Sequence, residues 1–333
     1  MGSLIGFVFL FTLAFAGNAP AQSIKWTQVT GGMPIGTVFQ LYTEFEMPRR
    51  INQAVKFATG MDMEVVHNSS LVKAVDVVDA VRDGRVEMGY QGAMYRGDMT
   101  LLNCLAFPAI LPFEECPKIE KRLYPIFESV LRTQFDVEPL GMGYWPRQLM
   151  ISKRPAATFN DLKGIKFRCH SYELLSLMKA AGGSPVTMDY MEVYLALQKG
   201  ALDGAVSSLS GIAGQKWYEA VKHVNWWPMG TVTFFAVVNK DSWKKLPVNV
   251  QRAVRETVSK ALSETWEMSD LEDQKSKDIF TKQYGASHHF PPKEEVAKLA
   301  QMSGPVIQDW KKRAGPRAGE VISVINQTLG TKY

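Results

Sequence analysis

The chain has 333 residues, 46% hydrophobic and 21% charged, with a net charge of +5. That length admits two domains of ordinary size, and that composition excludes an intrinsically disordered chain. Lysines and arginines are scattered, which excludes a nucleic-acid-binding arm. The mild basicity (sequence pI about 8.9) suits an anionic small ligand or an anionic membrane surface.

Leu4 to Ala16 is an uncharged apolar run, and Ala19-Pro20-Ala21 supplies an A-x-A cleavage pattern. Residues 1–21 are therefore predicted to be a cleaved export signal, weak in its n-region because only the α-amino group precedes the run. Downstream, no stretch reaches the roughly 18 consecutive apolar residues of a membrane-spanning helix. Three cysteines, Cys104, Cys116 and Cys169, are an odd number for an exported chain. A bridge between Cys104 and Cys116 is one reading; three buried thiols is the preferred one. The histidines show no metal-ligand spacing, and no cofactor motif is present.

In chain order, Ile24 to Val29 alternates as a first strand, Gly31-Gly32 turns, and Thr37 to Thr59 has helical periodicity. Met63 to Val66 is a strand, Leu71 to Asp83 a helix, and Val86 to Gln91 a third strand, giving βαβαβ. After the Pro-punctuated apolar stretch Leu101 to Phe113, a helix is expected from Lys118 to Phe135. A second series follows: strands at Gln148 to Ser152, Ile165 to Arg168, Pro185 to Met188 and Ala205 to Ser208, with helices at Ser171 to Ala181 and Met191 to Lys199. Trp217 to Val221 reads as helical and Thr231 to Asn239 as strongly β-prone. Beyond Pro247, Val250, Val254, Val258, Leu262 and Trp266 recur every fourth residue in a helix extending toward Lys282. Such a helix exceeds what one small lobe needs. The expectation is an α/β chain of two lobes, each a mainly parallel sheet flanked by helices, with crossing strands and a shared long helix. Lobe I takes 22–144 plus about 230–270, and lobe II takes 145–229 plus about 271–333.

Arg168 ends a short apolar strand, where ligands bind in open α/β sheets. Arg147 follows an aromatic approach to the expected lobe junction. Two arginines converging there could clamp an anion through charge-assisted hydrogen bonds; equally, each could pair with an acid of the protein. Tyr90, Tyr144, Trp145, Tyr190, Trp226, Trp227, Phe234 and Phe235 could wall a pocket, although aromatics at strand ends more often fill a core. Gln91, Ser207 and Ser208 lie at strand ends, where a ligand or a local cap would engage them. No G-x-S-x-G, H-E-x-x-H, P-loop or G-x-G-x-x-G is present.

Leu162-Lys163-Gly164-Ile165-Lys166-Phe167-Arg168, Ala181-Gly182-Gly183-Ser184-Pro185-Val186, Glu192-Val193-Tyr194-Leu195-Ala196-Leu197-Gln198 and Leu202-Asp203-Gly204 together resemble the DctP-type solute-binding proteins of tripartite ATP-independent periplasmic (TRAP) transporters. Val81 to Gly89 and Asn239 to Pro247 extend the likeness over essentially the whole mature chain. The resemblance implies a periplasmic two-lobe binding protein, not an enzyme. It would close on a small organic acid as a monomer and deliver it to the small and large membrane subunits of an ion-driven permease. By motif position, Arg168 matches the family's main carboxylate-clamping arginine and Arg147 its second. Tyr190 matches a ligand-facing aromatic, and Ser207 stands where many members carry Asn. Many members read Gln-Glu-Asn-Pro after the Asp-Gly turn, whereas this chain has Ala205-Val206-Ser207-Ser208. That loss of an amide and a carboxylate, with Trp145, Tyr144 and Trp226 nearby, favours a less polar monocarboxylate, an aromatic acid being one option. A periplasmic ligand sensor is the alternative, and an enzyme on the same fold the remoter one.

Overall fold

The computed structural model describes residues 23–30, 38–68, 71–107 and 111–333. The predicted signal segment and the Gly31-Gly32 turn lie outside the described residues. Eleven strands are defined among them: β1 (Ile24–Thr30), β2 (Met63–His67), β3 (Met88–Gly92), β4 (Val137–Tyr144), β5 (Leu149–Ser152), β6 (Lys166–Cys169), β7 (Ser184–Thr187), β8 (Gly204–Ser207), β9 (His223–Asn225), β10 (Thr233–Asn239) and β11 (Ser287–His289). They form two sheets, ordered β2-β1-β3-β10-β4 and β11-β9-β5-β8-β6-β7. β2-β1-β3 is parallel, as is β8-β6-β7. β10 lies antiparallel to β3 and β4, and β5 antiparallel to β8 and β9. Both sheets are thus mixed, the antiparallel pairs arising where the chain crosses between them. The three-residue strands β9 and β11 are too short to leave a periodicity in the sequence.

Strand alternation builds a core on each face of each sheet. Along β10, Phe235 and Val237 enter one apolar cluster while Phe234, Ala236 and Val238 enter the other. Along β5, Leu149 and Ile151 face one cluster and Met150 the other. All seven residues of β10 are buried, which explains its β-branched and aromatic composition. Gly143 is required beside it, because a Cβ there would lie 2.2 Å from the Phe234 ring.

The chain leaves the first sheet through β4, Trp145 and Pro146 into β5, and returns through Met229 and Gly230 into β10. The two crossing segments are tied together by Trp145 N–H to Val232 O at 2.9 Å and Gln148 N–H to Gly230 O at 3.0 Å. Helix Val248–Lys282 has 35 residues, so at about 1.5 Å per residue it is roughly 52 Å long. It reaches Lys282 as the sequence anticipates. Val250, Val254, Val258 and Leu262 pack on the first sheet, and Phe280 joins Leu149 and Trp217 against the second. Helix Lys293–Ala314 likewise sends Leu299 and Val306 to one sheet and Ile307 and Trp310 to the other. Helix Ala318–Leu329, grouped with the second lobe in the sequence reading, buries Val321, Ile322 and Ile325 in the first lobe's cluster.

Candidate functional site

Within β6, Phe167 and Cys169 enter the apolar cluster beneath the sheet, so Arg168 projects from the other face. It is 4% exposed. Its guanidinium spans the C-terminal ends of the flanking strands, donating from Nε to Met188 O at 3.2 Å, just past β7, and from Nη1 to Val206 O at 3.1 Å, in β8. The Tyr190 ring lies 5.8 Å from the guanidinium carbon. Burial lowers the Arg168 pKa. Asp189, the acid that acts on it, is exposed and forms no ion pair with it. Among the described residues, therefore, Arg168 is a buried cation whose hydrogen-bond acceptors are two neutral carbonyls. Buried charges are ordinarily paired, so this one presents an unused anion-binding edge.

Tyr190 follows β7, packs on Trp217 at 5.2 Å between ring centroids, and donates to Gly211 O at 2.7 Å. Burial raises its phenol pKa, with Arg168 opposing. Ser207 ends β8. Ser208 caps helix Leu209–Gly214 by accepting from Gly211 N–H at 3.1 Å. Gly211 lets these groups converge: a Cβ there would sit 2.8 Å from Ser207 Oγ and 3.0 Å from Tyr190 Oη. Arg168, Tyr190, Ser207 and Ser208 thus meet at the ends of three adjacent strands. The cap reading of Ser208 is observed directly.

Arg147 is placed differently. It donates to Glu114 Oε1 at 2.9 Å, lies 3.8 Å from Asp273 and 3.9 Å from Asp270, and stacks 4.9 Å from the Phe113 ring centroid. Burial raises the Asp273 carboxyl to about 7, against the pull of Arg147. Among the described residues, the groups bonded or stacked on Arg168 and those on Arg147 are different. The ion-pair reading of Arg147 is the one this conformation displays. A cavity of about 280 Å³, lined by Arg147, Glu114, Phe113, Pro228 and Gly230, opens beside it at the crossing segments.

The remaining candidates separate. Gln91 is buried in β3; its amide accepts from Val78 N–H at 3.0 Å and donates to Ala74 O and Gly92 O at 3.0 and 2.9 Å. Trp226 donates to His288 Nδ1 at 3.0 Å and stacks on Phe290 at 5.5 Å. It follows β9, three strand spacings from β6, or about 14 Å. Trp145 is buried against Tyr95, ring centroids 6.2 Å apart, with its indole N–H enclosed and without a partner. Tyr95 follows β3 in the first sheet yet lies close enough to Arg168 for the two to influence each other's protonation. Tyr95 and His170 are two site residues the sequence reading did not select. His170 stands directly after a predicted strand, which was the available signal; Tyr95 closes the turn Ala93–Tyr95 beyond β3 and left none. Cys104, Cys116 and Cys169 are free and buried, as preferred from sequence.

Among the described residues no helix is long and apolar enough to cross a membrane, and no acid, cysteine and histidine group has metal-site geometry. The profile of the family described as "DctP: Bacterial extracellular solute-binding protein, family 7" matches residues 52–313. The chain is 25% identical over 267 residues to the C4-dicarboxylate-binding periplasmic protein DctP of Rhodobacter capsulatus, covering 79% of this chain and 80% of that one. Its fold is similar to that of DctP7, a Bordetella pertussis extracytoplasmic solute receptor binding pyroglutamic acid (TM-score 0.76, 23% identity, 91% of this chain and 99% of that one). It is also similar to a TRAP periplasmic solute-binding protein of Desulfovibrio salexigens with bound orotic acid (TM-score 0.79, 20% identity, 92% and 98%). The two mixed, helix-flanked sheets are those of the two-lobe periplasmic-binding-protein fold, and the chain belongs to the DctP family of TRAP solute-binding proteins.

Proposed function

We propose that this chain is the periplasmic receptor of a TRAP transporter, capturing a small organic acid between its lobes and passing it to a permease of small and large membrane subunits. The observation that carries this reading is Arg168: buried, charged and, among the described residues, hydrogen-bonded to the carbonyls of Met188 and Val206 alone. A carboxylate would supply the missing counter-charge in a bidentate geometry. Tyr190 and Ser207 border that position, and Tyr95 with Trp145 faces it from the first lobe. Arg147 is the second donor once it exchanges Glu114 for ligand as the crossing segments bend. The lobes divide at those segments, with helix Ala318–Leu329 moving with the first. The protein acts as a monomer and catalyses no reaction. Ligands named for similar proteins, C4-dicarboxylates, pyroglutamic acid and orotic acid, are all carboxylic acids, which supports an organic acid here.

The test is calorimetric titration of the mature protein and Arg168→Ala with a panel of monocarboxylates, dicarboxylates and sugar acids. Leaving a bound carboxylate unpaired costs about 2–5 kcal/mol, so the variant should bind the preferred acid at least ~30-fold more weakly. Wild-type affinity in folded Arg168→Ala would refute the role of Arg168.

A further inference from the structure

His170 follows β6 directly, two residues beyond Arg168. Phe167 and Cys169 point into the apolar cluster, so the alternation that turns Arg168 to the opposite face carries His170 toward the same end of the sheet. Ser171 then caps helix Tyr172–Ala180 by accepting from Leu174 N–H at 3.2 Å. The imidazole is therefore held between a strand end and a capped helix start. Both of its ring nitrogens are enclosed, and neither has a hydrogen-bond partner among the described residues.

A packed interior rarely leaves such groups unpaired. The large majority of buried side-chain polar atoms find a partner, and an orphaned one costs about 1–3 kcal/mol. His170 leaves both nitrogens orphaned within electrostatic reach of the unpaired Arg168 edge. The enclosed indole N–H of Trp145 is orphaned too, and Trp145 packs on Tyr95, which itself senses Arg168. Two enclosed imidazole nitrogens without partners among the described residues thus lie within electrostatic reach of one charged group, and the orphaned indole packs on a ring that senses the same charge. Burial, reinforced by the charge of Arg168, pushes the His170 imidazole down to about 3. It is neutral at physiological pH, with one N–H donor and one bare nitrogen acceptor. A neutral ring supplies no second positive charge to a carboxylate. It can read a hydroxyl, oxo or amide group.

We infer that His170 is a specificity-determining ligand contact, hydrogen-bonding a second polar group on the acid whose carboxylate Arg168 holds. The inference rests on the proposed receptor role and narrows its substrate class. The preferred acid carries a hydroxyl, carbonyl or ring amide near the carboxylate and is not a plain aliphatic or unsubstituted aromatic acid. The sequence reading favoured a less polar acid from the loss of Asn and Glu after Asp203-Gly204; His170 restores polar recognition from the neighbouring strand.

The experiment compares matched acids on wild type, His170→Phe, His170→Gln and Arg168→Ala: pyroglutamate against cyclopentanecarboxylate, lactate against propionate, and 3-hydroxybenzoate against benzoate. Wild type should prefer the polar member of at least one pair by about tenfold or more, the worth of one buried hydrogen bond. His170→Phe should erase that ratio while leaving the apolar member within about threefold, a split that general damage to packing would not produce. His170→Gln, which keeps a donor and an acceptor, should recover part of the ratio. An unchanged ratio in His170→Phe overturns the inference, and so does the absence of any polar preference in wild type. If Arg168→Ala loses binding while the His170→Phe ratio stays unchanged, only the inference fails. If Arg168→Ala binds normally, the receptor reading of Arg168 fails first. Should His170→Phe not fold, ¹⁵N-histidine spectra of wild type decide. A displaced His170 ring-nitrogen resonance on adding the polar acid supports the contact, and an unmoved one overturns it.

Discussion

Replacing Arg168 by Met tests the site in the absence of any ligand. Two opposing effects meet in that substitution. The guanidinium donates to Met188 O and Val206 O, and hydrogen bonds from a charged donor contribute about 1.5–3 kcal/mol each. Against that stands the cost of holding a cation out of water with no carboxylate beside it, several kcal/mol per ion. Met fills a similar volume, removes the charge and leaves two carbonyls able to find water near the open edge. The terms nearly cancel, so ligand-free Arg168→Met should lie within about 2 kcal/mol of wild-type stability while losing acid binding. Arg147→Met should cost more. It strips Asp273, 4% exposed, of its cation and should cost about 1–3 kcal/mol at pH 8. Urea denaturation of the ligand-free proteins, with midpoints and slopes compared, measures both. A loss beyond about 4 kcal/mol in Arg168→Met would show that its guanidinium is a structural brace rather than a poised binding group.

Stability should also fall as pH rises through the acid range because of Glu120. Burial raises its carboxyl to about 7, against an ordinary 4.5, although Tyr144 Oη donates to it. The folded state then holds a proton the unfolded chain has released, so the stabilisation is fully present below about pH 4.5 and is lost progressively up to about pH 7. The span corresponds to roughly 3 kcal/mol. Glu120→Gln should remove Glu120's share of that limb, leaving the similar share of Asp273, and be more stable than wild type at pH 8; thermal unfolding from pH 4 to 8 checks it, and an unaltered slope contradicts it. Gly143→Ala should destabilise by about 1–3 kcal/mol, because its Cβ meets the Phe234 ring at 2.2 Å inside a fully packed pair of strands. A denaturation midpoint equal to wild type would mean the ring has room to move.

The element pattern was legible because burial imposes a period. Alternation in Ile24 to Val29, the β-branched run of β10 and the four-residue repeat from Val250 to Trp266 each announce the face they hide. The position of Arg168 at a strand end was legible for the same reason. The motif through Asp203-Gly204 brought in the family. What a chain written in one dimension could not state is which acid stands near which base. Glu114, Asp270 and Asp273 occupy Arg147 from two different elements, and no spacing rule links them to it. Gln91 and Trp226 shared the strand-end signature of the site. Only the fold shows the first bonded to the backbone of Ala74, Val78 and Gly92 and the second stacked near β11. His170 was hidden by its chemistry. A histidine after a strand reads like any surface residue until packing removes its water and offers no partner. Local periodicity determined the elements and their order. The unpaired charge of Arg168 and the orphaned imidazole of His170 beside it were decided only by tertiary packing, because desolvation and hydrogen-bond satisfaction depend on what the rest of the chain brings within about 3 Å.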